Sequence, residues 1–330
     1  MTHWSGRRVL ITGAGGFLGG NLAAELVRTG AHVTAVIRDL DPRNTLLLLG
    51  VGGEVREARG DLRDPAFCER VVAGHRVTDV FHLAAQATVA VAAQAPAGTF
   101  DSNIRGTWTL LDACRSVGSL ESIVVASSDK AYGIHPTLPY REDTCLSPSF
   151  PYDVSKACAD LIARSYATTY ALPVAVTRLG NVYGPGDLNF TRLVPDSIRC
   201  AFAGRPVVLR SDGTMRRDYV YVGDAVDAYL RLAARLADGT RGVAGTAFNF
   251  GAARPTKVLD VVAAVRRLFP GAPEPQVLGT AAGEIPAQSL DWSRAEETLG
   301  WRPAYDLDEG LAPTVAWYSA LFARDPTLLQ

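Results

Sequence analysis

This chain uses almost no lysine. Only three of its 33 basic residues, Lys130, Lys156 and Lys257, are lysines, and arginine carries every other permanent positive charge. Neither sign of charge is in excess. The 33 basic and 34 acidic side chains leave a formal net charge of −1, whereas a protein that gathers nucleic-acid phosphates needs a basic surplus. Long apolar runs are missing as well. The richest, from Val80 to Ala95, is broken by His82, Gln86, Thr88 and Gln94 and is otherwise mostly alanine, so no membrane span is expected. The opening residues run straight into a strand-like segment, with no apolar stretch and cleavage site, and no secretory leader is expected. Cysteine is sparse: Cys68, Cys114, Cys145, Cys158 and Cys200 are odd in number and form no C-x-x-C pair. That usage fits reduced thiols in a cytoplasmic protein better than a disulfide framework or a zinc site. The five histidines (His3, His32, His75, His82, His135) lack metal-ligand spacing, so no metal is expected, and His82 reads as a packed strand-end residue.

What is present is apolar residue in quantity. With 330 residues, 48% hydrophobic and 20% charged, the chain has enough material for a sizeable core, and at about 150 residues per domain its length suggests two domains. Strand-like runs occur at Arg8–Thr12, His32–Ile37, Val55–Gly60, Asp79–Leu83, Ser122–Ser127 and Pro173–Leu179. Helical periodicity appears at Leu18–Arg28, Thr99–Val117 and Tyr152–Tyr170. Strands alternating with helices imply βαβ crossovers and a parallel sheet, the α/β class. After Asn181 prolines and glycines become denser and elements shorter, which marks a second, smaller region. Trp292, Trp301 and Trp317 are expected in the core of that region, and the tail after Asp325 is expected to fray.

Between the first strand and the first helix lies Thr12-Gly13-Ala14-Gly15-Gly16-Phe17-Leu18-Gly19. Glycines at 13, 16 and 19 permit a tight turn and let backbone approach a pyrophosphate, while the helix N-terminus offers free N–H groups. An ordinary glycine-rich loop is the plainer reading, but the strand–turn–helix setting favours dinucleotide binding. Asp39, twenty residues after Gly19, is placed to accept from a ribose 2′-hydroxyl, and the adjacent Arg38 suits a 2′-phosphate, so NAD and NADP both remain open. Asp61, after the third strand, is a plausible adenine contact.

Tyr152-Asp153-Val154-Ser155-Lys156 places a phenol and an ammonium four residues apart, on one helix face. An ammonium beside a phenol is expected to lower its pKa from about 10 and make it a usable base. The fifth strand ends in Ser127-Ser128-Asp129-Lys130-Ala131-Tyr132-Gly133, and ligands of open α/β sheets bind beyond such strand ends. Ser128 can donate to a substrate oxygen, and Asp129 with Lys130 forms an acid/base pair at the same lip. A solvated turn is the plainer reading of that pair. Against it stands the scarcity of lysine, which unlike arginine can lose its proton when desolvated.

Together TGAGGFLG (12–19), HLAAQ (82–86), SSDKAYG (127–133), YDVSK (152–156), GNVYGPGD (180–187), RDYVYV (217–222) and GWRPAYDLDEGL (300–311) resemble the extended short-chain dehydrogenase/reductases, the NAD-dependent epimerases and dehydratases of nucleotide sugars. The resemblance implies a Rossmann-type, doubly wound parallel sheet from residues 1–180 with 219–250, and a smaller C-terminal substrate domain from 181–218 with 251–330. It implies tightly held NAD, with NADP not excluded, touched by Gly13, Gly16, Phe17, Leu18, Gly19, Arg38, Asp39, Asp61, Leu62, Leu83, Ala84, Ala85, Tyr152 and Lys156. Ser128, Asp129, Lys130, Tyr152 and Lys156 correspond to the catalytic group. Gln86, Ser128, Asn181, Val194, Arg210 and Arg217 correspond to the nucleotide-sugar contacts. An arginine commonly stands where this chain has Ala281, which leaves its pyrophosphate contact to Arg210 or Arg216, or to a nucleotide seated differently. The two long helices resemble the family's four-helix homodimer interface. Simple 4-epimerases carry small residues at the positions of Asp129 and Lys130, dTDP-glucose 4,6-dehydratases carry Asp-Glu, and CDP-glucose 4,6-dehydratases carry Asp-Lys. The resemblance therefore implies an NDP-hexose 4,6-dehydratase, with a 4-epimerase or a 5,6-dehydratase as the alternatives.

Overall fold

The computed structural model describes residues 3–39, 41–280 and 285–329. Ala281, Gly283 and Glu284, at the expected pyrophosphate contact, lie outside the described residues. Strands β1 (Arg8–Thr12), β2 (His32–Ile37), β3 (Arg56–Arg59), β4 (Asp79–His82), β5 (Ser122–Ala126) and β6 (Val174–Leu179) join Ala247–Phe250 in one sheet. Its spatial order is β3-β2-β1-β4-β5-β6 followed by Ala247–Phe250, and every pairing is parallel. The central strands are near-continuous apolar runs because helices cover both faces. Val9, Leu10 and Ile11 are buried in β1, and Ile123, Val124 and Val125 in β5. The edge strand β3, Arg-Glu-Ala-Arg, is instead charged and exposed or half-buried, a composition that discourages pairing with another sheet.

One face of the sheet is covered by the helices Phe17–Arg28 and Val222–Ala237, which bury Leu22, Leu26, Tyr229 and Leu232. The helices Pro65–Gly74, Gly106–Val117 and Pro151–Tyr170 lie on the other, with Phe67, Val71, Leu110, Leu111 and Ala163 in its core. Full burial of each Val, Leu or Ile contributes about 1.5–3 kcal/mol to these layers. A separate apolar cluster gathers the helices Leu193–Phe202, Val258–Arg267 and Leu307–Arg324 around Ile198, Val261, Val265, Leu311, Tyr318 and Phe322.

Four elements depart from expectation. The Pro65–Gly74 helix follows the third strand's acidic turn, capped by Asp64, whose side chain accepts from the Ala66 amide at 3.0 Å. The long helix expected over Thr99–Val117 is interrupted by a wide π turn at Asp101–Arg105. There Asn103 turns inward: it accepts from the Gln86 amide at 2.6 Å and donates to Ser155 Oγ at 2.9 Å. Such turns are frequent at functional sites. Trp301 is fully buried against the sheet, edge-on to Phe250 with ring centroids 4.9 Å apart, and Trp292 packs beside it, so neither belongs to the smaller apolar cluster. The tail docks rather than frays. Leu328 is buried, and Arg205 Nη2 donates to the Leu329 carbonyl at 2.7 Å.

Candidate active site

The crevice lies where β1 parts its neighbours: β2 runs to one side and β4 to the other, both parallel to it, which is the switch point at which such sheets bind ligands. Gly13 has φ +72°, and a Cβ there would lie 2.8 Å from the Ala84 amide nitrogen. A Cβ at Gly19 would lie 2.2 Å from the Gly13 carbonyl oxygen. Turn, helix and the strand end Leu83–Ala84 therefore meet backbone to backbone. Gly16 stands at the N-cap of the Phe17–Arg28 helix with no side-chain cap bond, so no side chain of the cap residue satisfies the first-turn N–H groups, the kind of donor that suits an anion. Phe17 and Leu18 open that helix. Thr12 Oγ1 accepts from the Ala84 amide at 3.2 Å and pairs with His82 Nδ1 at 2.8 Å, while His82 Nε2 pairs with Thr107 Oγ1 at 2.9 Å. Burial, with the nearby charge of Lys156, pushes His82 down to about 3. It is a neutral packing residue.

Arg38 and Asp39 form an exposed ion pair at 2.7 Å just past β2. Asp61, just past β3, binds the Arg63 guanidinium at 2.6 Å, and Arg63 reaches on to Asp101 at 2.8 Å. That contact holds Asp61 below the usual carboxylate range. Leu62 beside it is buried. These residues line the same end of the sheet as the glycine turn.

At the end of β5, Ser128 begins a tight 3-10 turn over Asp129–Tyr132. Ser128 Oγ donates to Asp129 Oδ1 at 2.9 Å and accepts from the Lys130 amide at 3.2 Å. Ser128 and Asp129 are buried, and Lys130 is half-buried. The turn is clamped from beneath. Tyr132 Oη donates to Asn249 Oδ1 at 2.7 Å and accepts from Arg178 Nη1 at 2.8 Å, and Arg178 grips Asp160 through two bonds of 2.8 and 3.1 Å. Gly133 then reverses the chain at φ +73°, where a Cβ would strike the Ser147 carbonyl at 2.0 Å.

Tyr152 and Lys156 stand in the first two turns of the Pro151–Tyr170 helix, facing that lip. The expected pKa relation between them is not found. Lys156 Nζ donates to the Ala126 carbonyl of β5 at 2.9 Å, and burial brings its amine down to about 8. Burial and the Asp129 charge push the Tyr152 phenol up to about 12, against the opposing influence of Arg192 and the Ser128 hydroxyl. The phenol thus lies toward Ser128 and Asp129, and the ammonium is held by the strand end.

Among the residues expected to contact a nucleotide sugar, the Gln86 carbonyl accepts from Asn103 Nδ2 at 3.1 Å. Asn181 donates its amide to the Asp218 carbonyl at 3.0 Å. Arg217 is nine-tenths buried, its guanidinium donating to the carbonyls of Arg216, at 2.8 Å, and of Ile285. Arg210 is exposed, and the side chain of Val194 is buried in the smaller apolar cluster. Among the described residues no group of three or more His, Cys, Asp or Glu is arranged to hold a metal, and no helix is long and apolar enough to cross a membrane.

Two carboxylates at the lip were not singled out from the sequence. Asp153 is 3% exposed and its Oδ1 has no hydrogen-bond partner among the described residues. Burial pushes it up to about 6, with Lys130 opposing the rise and Asp129 adding to it. Asp218, 2% exposed, accepts from the Leu290 amide at 2.8 Å and is pushed up to about 7, chiefly by burial. Each is a sequence neighbour of a residue that was chosen, Tyr152 and Arg217, but only burial distinguishes it from a surface acid.

Residues 9–251 match the NAD dependent epimerase/dehydratase family. The chain is 34% identical to the dTDP-glucose 4,6-dehydratase of Streptomyces griseus over 319 residues, 94% of this chain and 93% of that one. Among solved structures, the UDP-glucose 4-epimerase of Thermotoga maritima with UDP-glucose superposes with a TM-score of 0.87 at 29% identity, over 96% of this chain and 99% of that one. The dTDP-glucose 4,6-dehydratase of Streptomyces venezuelae, crystallised with NAD, superposes with a TM-score of 0.85 at 27% identity, over 98% of this chain and all (100%) of that one.

Proposed function

Because the chain belongs to the NAD-dependent epimerase/dehydratase family, we propose that it is a nucleotide-sugar 4,6-dehydratase, converting an NDP-hexose to the NDP-4-keto-6-deoxyhexose. The observation that carries this reading is the Ser128-Asp129-Lys130 turn: a buried carboxyl followed directly by a half-buried lysine on one tight turn at the end of β5, packed against the helix that bears Tyr152. An enzyme that only inverts C4 has no use for such a pair.

The glycine cradle fits NAD, whose pyrophosphate would rest on the Gly16–Gly19 backbone, with Asp39 and Asp61 toward the adenosine. When bound, the cofactor supplies a hydride acceptor for C4 and later a hydride donor, with no net redox change. Tyr152, whose phenol burial and the Asp129 charge push up to about 12, has to ionise when substrate and cofactor bind before it accepts the proton of the C4 hydroxyl, and Ser128 donates to that oxygen. The 4-ketone so formed acidifies C5–H. Lys130, as the free amine, removes the C5 proton, and Asp129 protonates the C6 hydroxyl, which leaves as water. Lys156 would hold the ribose and nicotinamide end of the cofactor, and Asn181, Arg210 and Arg217 would bind the nucleotide diphosphate. General acid–base steps of this kind are worth about 10²–10⁴-fold each. We also read Trp108 and Leu161, exposed at 42% and 55% on the Gly106–Val117 and Pro151–Tyr170 helices, as part of a homodimer face in a cytoplasmic enzyme.

A 4-epimerase is the second reading, favoured by the likeness to the UDP-glucose-bound epimerase. Lys130→Ala tests the choice. It is expected to bind NAD normally and to form no 4-keto-6-deoxy product from any of a panel of nucleotide sugars; full dehydratase turnover by this variant contradicts the assignment.

A further inference from the structure

A single line of hydrogen bonds runs from the glycine turn to the helix that bears Tyr152. It begins at the Ala84 amide, which packs so closely on Gly13 that a Cβ there would lie 2.8 Å from its nitrogen. Ala84 donates to Thr12 Oγ1 at 3.2 Å, and Thr12 Oγ1 meets His82 Nδ1 at 2.8 Å. On the far side of the ring His82 Nε2 meets Thr107 Oγ1 at 2.9 Å, and Thr107 Oγ1 donates to the Asn103 carbonyl at 2.6 Å. Asn103 Nδ2 donates to Ser155 Oγ at 2.9 Å, and Ser155 Oγ donates to the Tyr152 carbonyl at 2.7 Å. Thr12, His82, Asn103, Thr107 and Ser155 are each at most 3% exposed, so none can turn to water instead.

The imidazole segment of this line begins and ends on backbone groups with one role each: an amide N–H only donates and a carbonyl only accepts. The Thr107 hydroxyl has one hydrogen, and the Asn103 carbonyl takes it. His82 Nε2 must then carry a proton and donate to Thr107. The Thr12 oxygen accepts from the Ala84 amide, which leaves its own hydrogen for Nδ1. The other tautomer would set two lone pairs against each other between Nε2 and Thr107. Burial keeps the ring from taking a second proton.

We propose that His82 is a positioning residue for hydride transfer: as the Nε2–H tautomer it joins the cofactor floor at Ala84 to the backbone of Tyr152, and so fixes how the phenol stands to the nicotinamide. The inference rests only on oxidation of the sugar at C4, the step that the dehydratase and epimerase readings share. The ring passes on no proton in this role. It acts through bonds of fixed direction, and a misplacement of about 1 Å at a reacting centre costs about 10²-fold.

The test compares the wild type with Thr107→Val, which keeps the shape and loses the hydroxyl, and Thr107→Ser, which keeps the hydroxyl and loses the methyl. Each is loaded with NAD and mixed with a panel of nucleotide sugars. Thr107→Val is expected to slow pre-steady-state reduction of the nicotinamide about 10-fold with NAD affinity within about twofold of wild type, and Thr107→Ser to stay within about threefold in rate. If Thr107→Ser is the more damaging of the two, or Thr107→Val reduces its nicotinamide at the wild-type rate, packing alone accounts for the site and the inference falls. Nitrogen NMR of the wild type, with the His82 signals identified by their loss in His82→Gln, is expected to show Nδ1 bare and Nε2 protonated from about pH 8 to about pH 5. The opposite tautomer, or a ring that titrates in that range, overturns the inference even where Thr107→Val does not fold. A wild type whose nicotinamide no sugar of the panel reduces defeats the functional reading and this role with it; the wild-type arm keeps the two failures apart.

Discussion

The Gly13–Gly19 turn and the Ser128–Lys130 lip stand at the carboxyl ends of strands in one sheet, yet different forces shape them. The turn is a backbone object. Its form follows from the absence of side chains: any Cβ at Gly13 or Gly19 would meet main-chain atoms closer than 3 Å. The lip is a side-chain object. A tight turn is bolted down by Tyr132, Arg178, Asp160 and Asn249, and it carries Asp129 and Lys130 against the helix that bears Tyr152 and Asp153. Backbone cradles hold a cofactor common to many reactions, whereas charged lips choose the reaction. Binding and chemistry should therefore separate under mutation.

The sharpest break in that separation comes from Tyr152→Phe. Removing the phenol is expected to slow reduction of bound nicotinamide by about 10³-fold while NAD affinity, measured by calorimetric titration, stays within about twofold. A large loss of affinity would show that the two regions are not independent. The mirror experiment is Gly19→Ala. Its Cβ must displace the Gly13 carbonyl, and overpacking against backbone costs about 1–3 kcal/mol. NAD affinity is expected to fall by about 10²-fold, with the thermal unfolding of the cofactor-free protein only modestly lowered.

Tyr132→Phe probes the bolt beneath the lip. It strips a buried acceptor from Arg178 and a donor from Asn249, at a cost of about 1–3 kcal/mol. Scanning calorimetry should record a Tm lower by several degrees, at about 2–4 °C per kcal/mol for larger domains, with NAD affinity unaltered. The smallest effect is a pH dependence. Burial lowers the folded-state value of Lys156 from its ordinary 10.5 to about 8, so folding disfavours the ammonium. The penalty is full below about 8 and disappears as pH rises toward 10.5, so the contribution of this group to stability increases across that window. The cofactor-free Lys156→Met variant should lack that increase when Tm is followed from pH 8 to pH 10.

The cradle was legible in the sequence because glycine spacing and strand periodicity are local. Residues 13, 16 and 19 sit where their spacing puts them, and β1, β2 and β6 run within a residue of their sequence-based limits. The lip was legible only in part. Lys130 stood out by the rarity of lysine, and Tyr152 and Lys156 by their spacing. Where the Lys156 ammonium goes, to the Ala126 carbonyl, depends on how the helix meets β5, which no spacing encodes. Asp153 and Asp218 look like surface acids until tertiary packing buries them. The π turn at Asp101–Arg105 was hidden because nothing in the helical periodicity around it marks a wider turn, and Asn103 in that turn reaches across to Gln86 and Ser155. Trp301 joined the sheet rather than the smaller cluster because the chain returns to the sheet after leaving it, a crossing invisible to composition.

The central claim is that Asp129 and Lys130 carry out an elimination on a hexose oxidised beside them. The most direct test is the mass of the product formed when the NAD-loaded enzyme acts on its nucleotide sugar in heavy water. The account predicts a nucleotide sugar lighter by one water and carrying one deuterium at C5. A product of unchanged mass, with no deuterium on carbon, would contradict it.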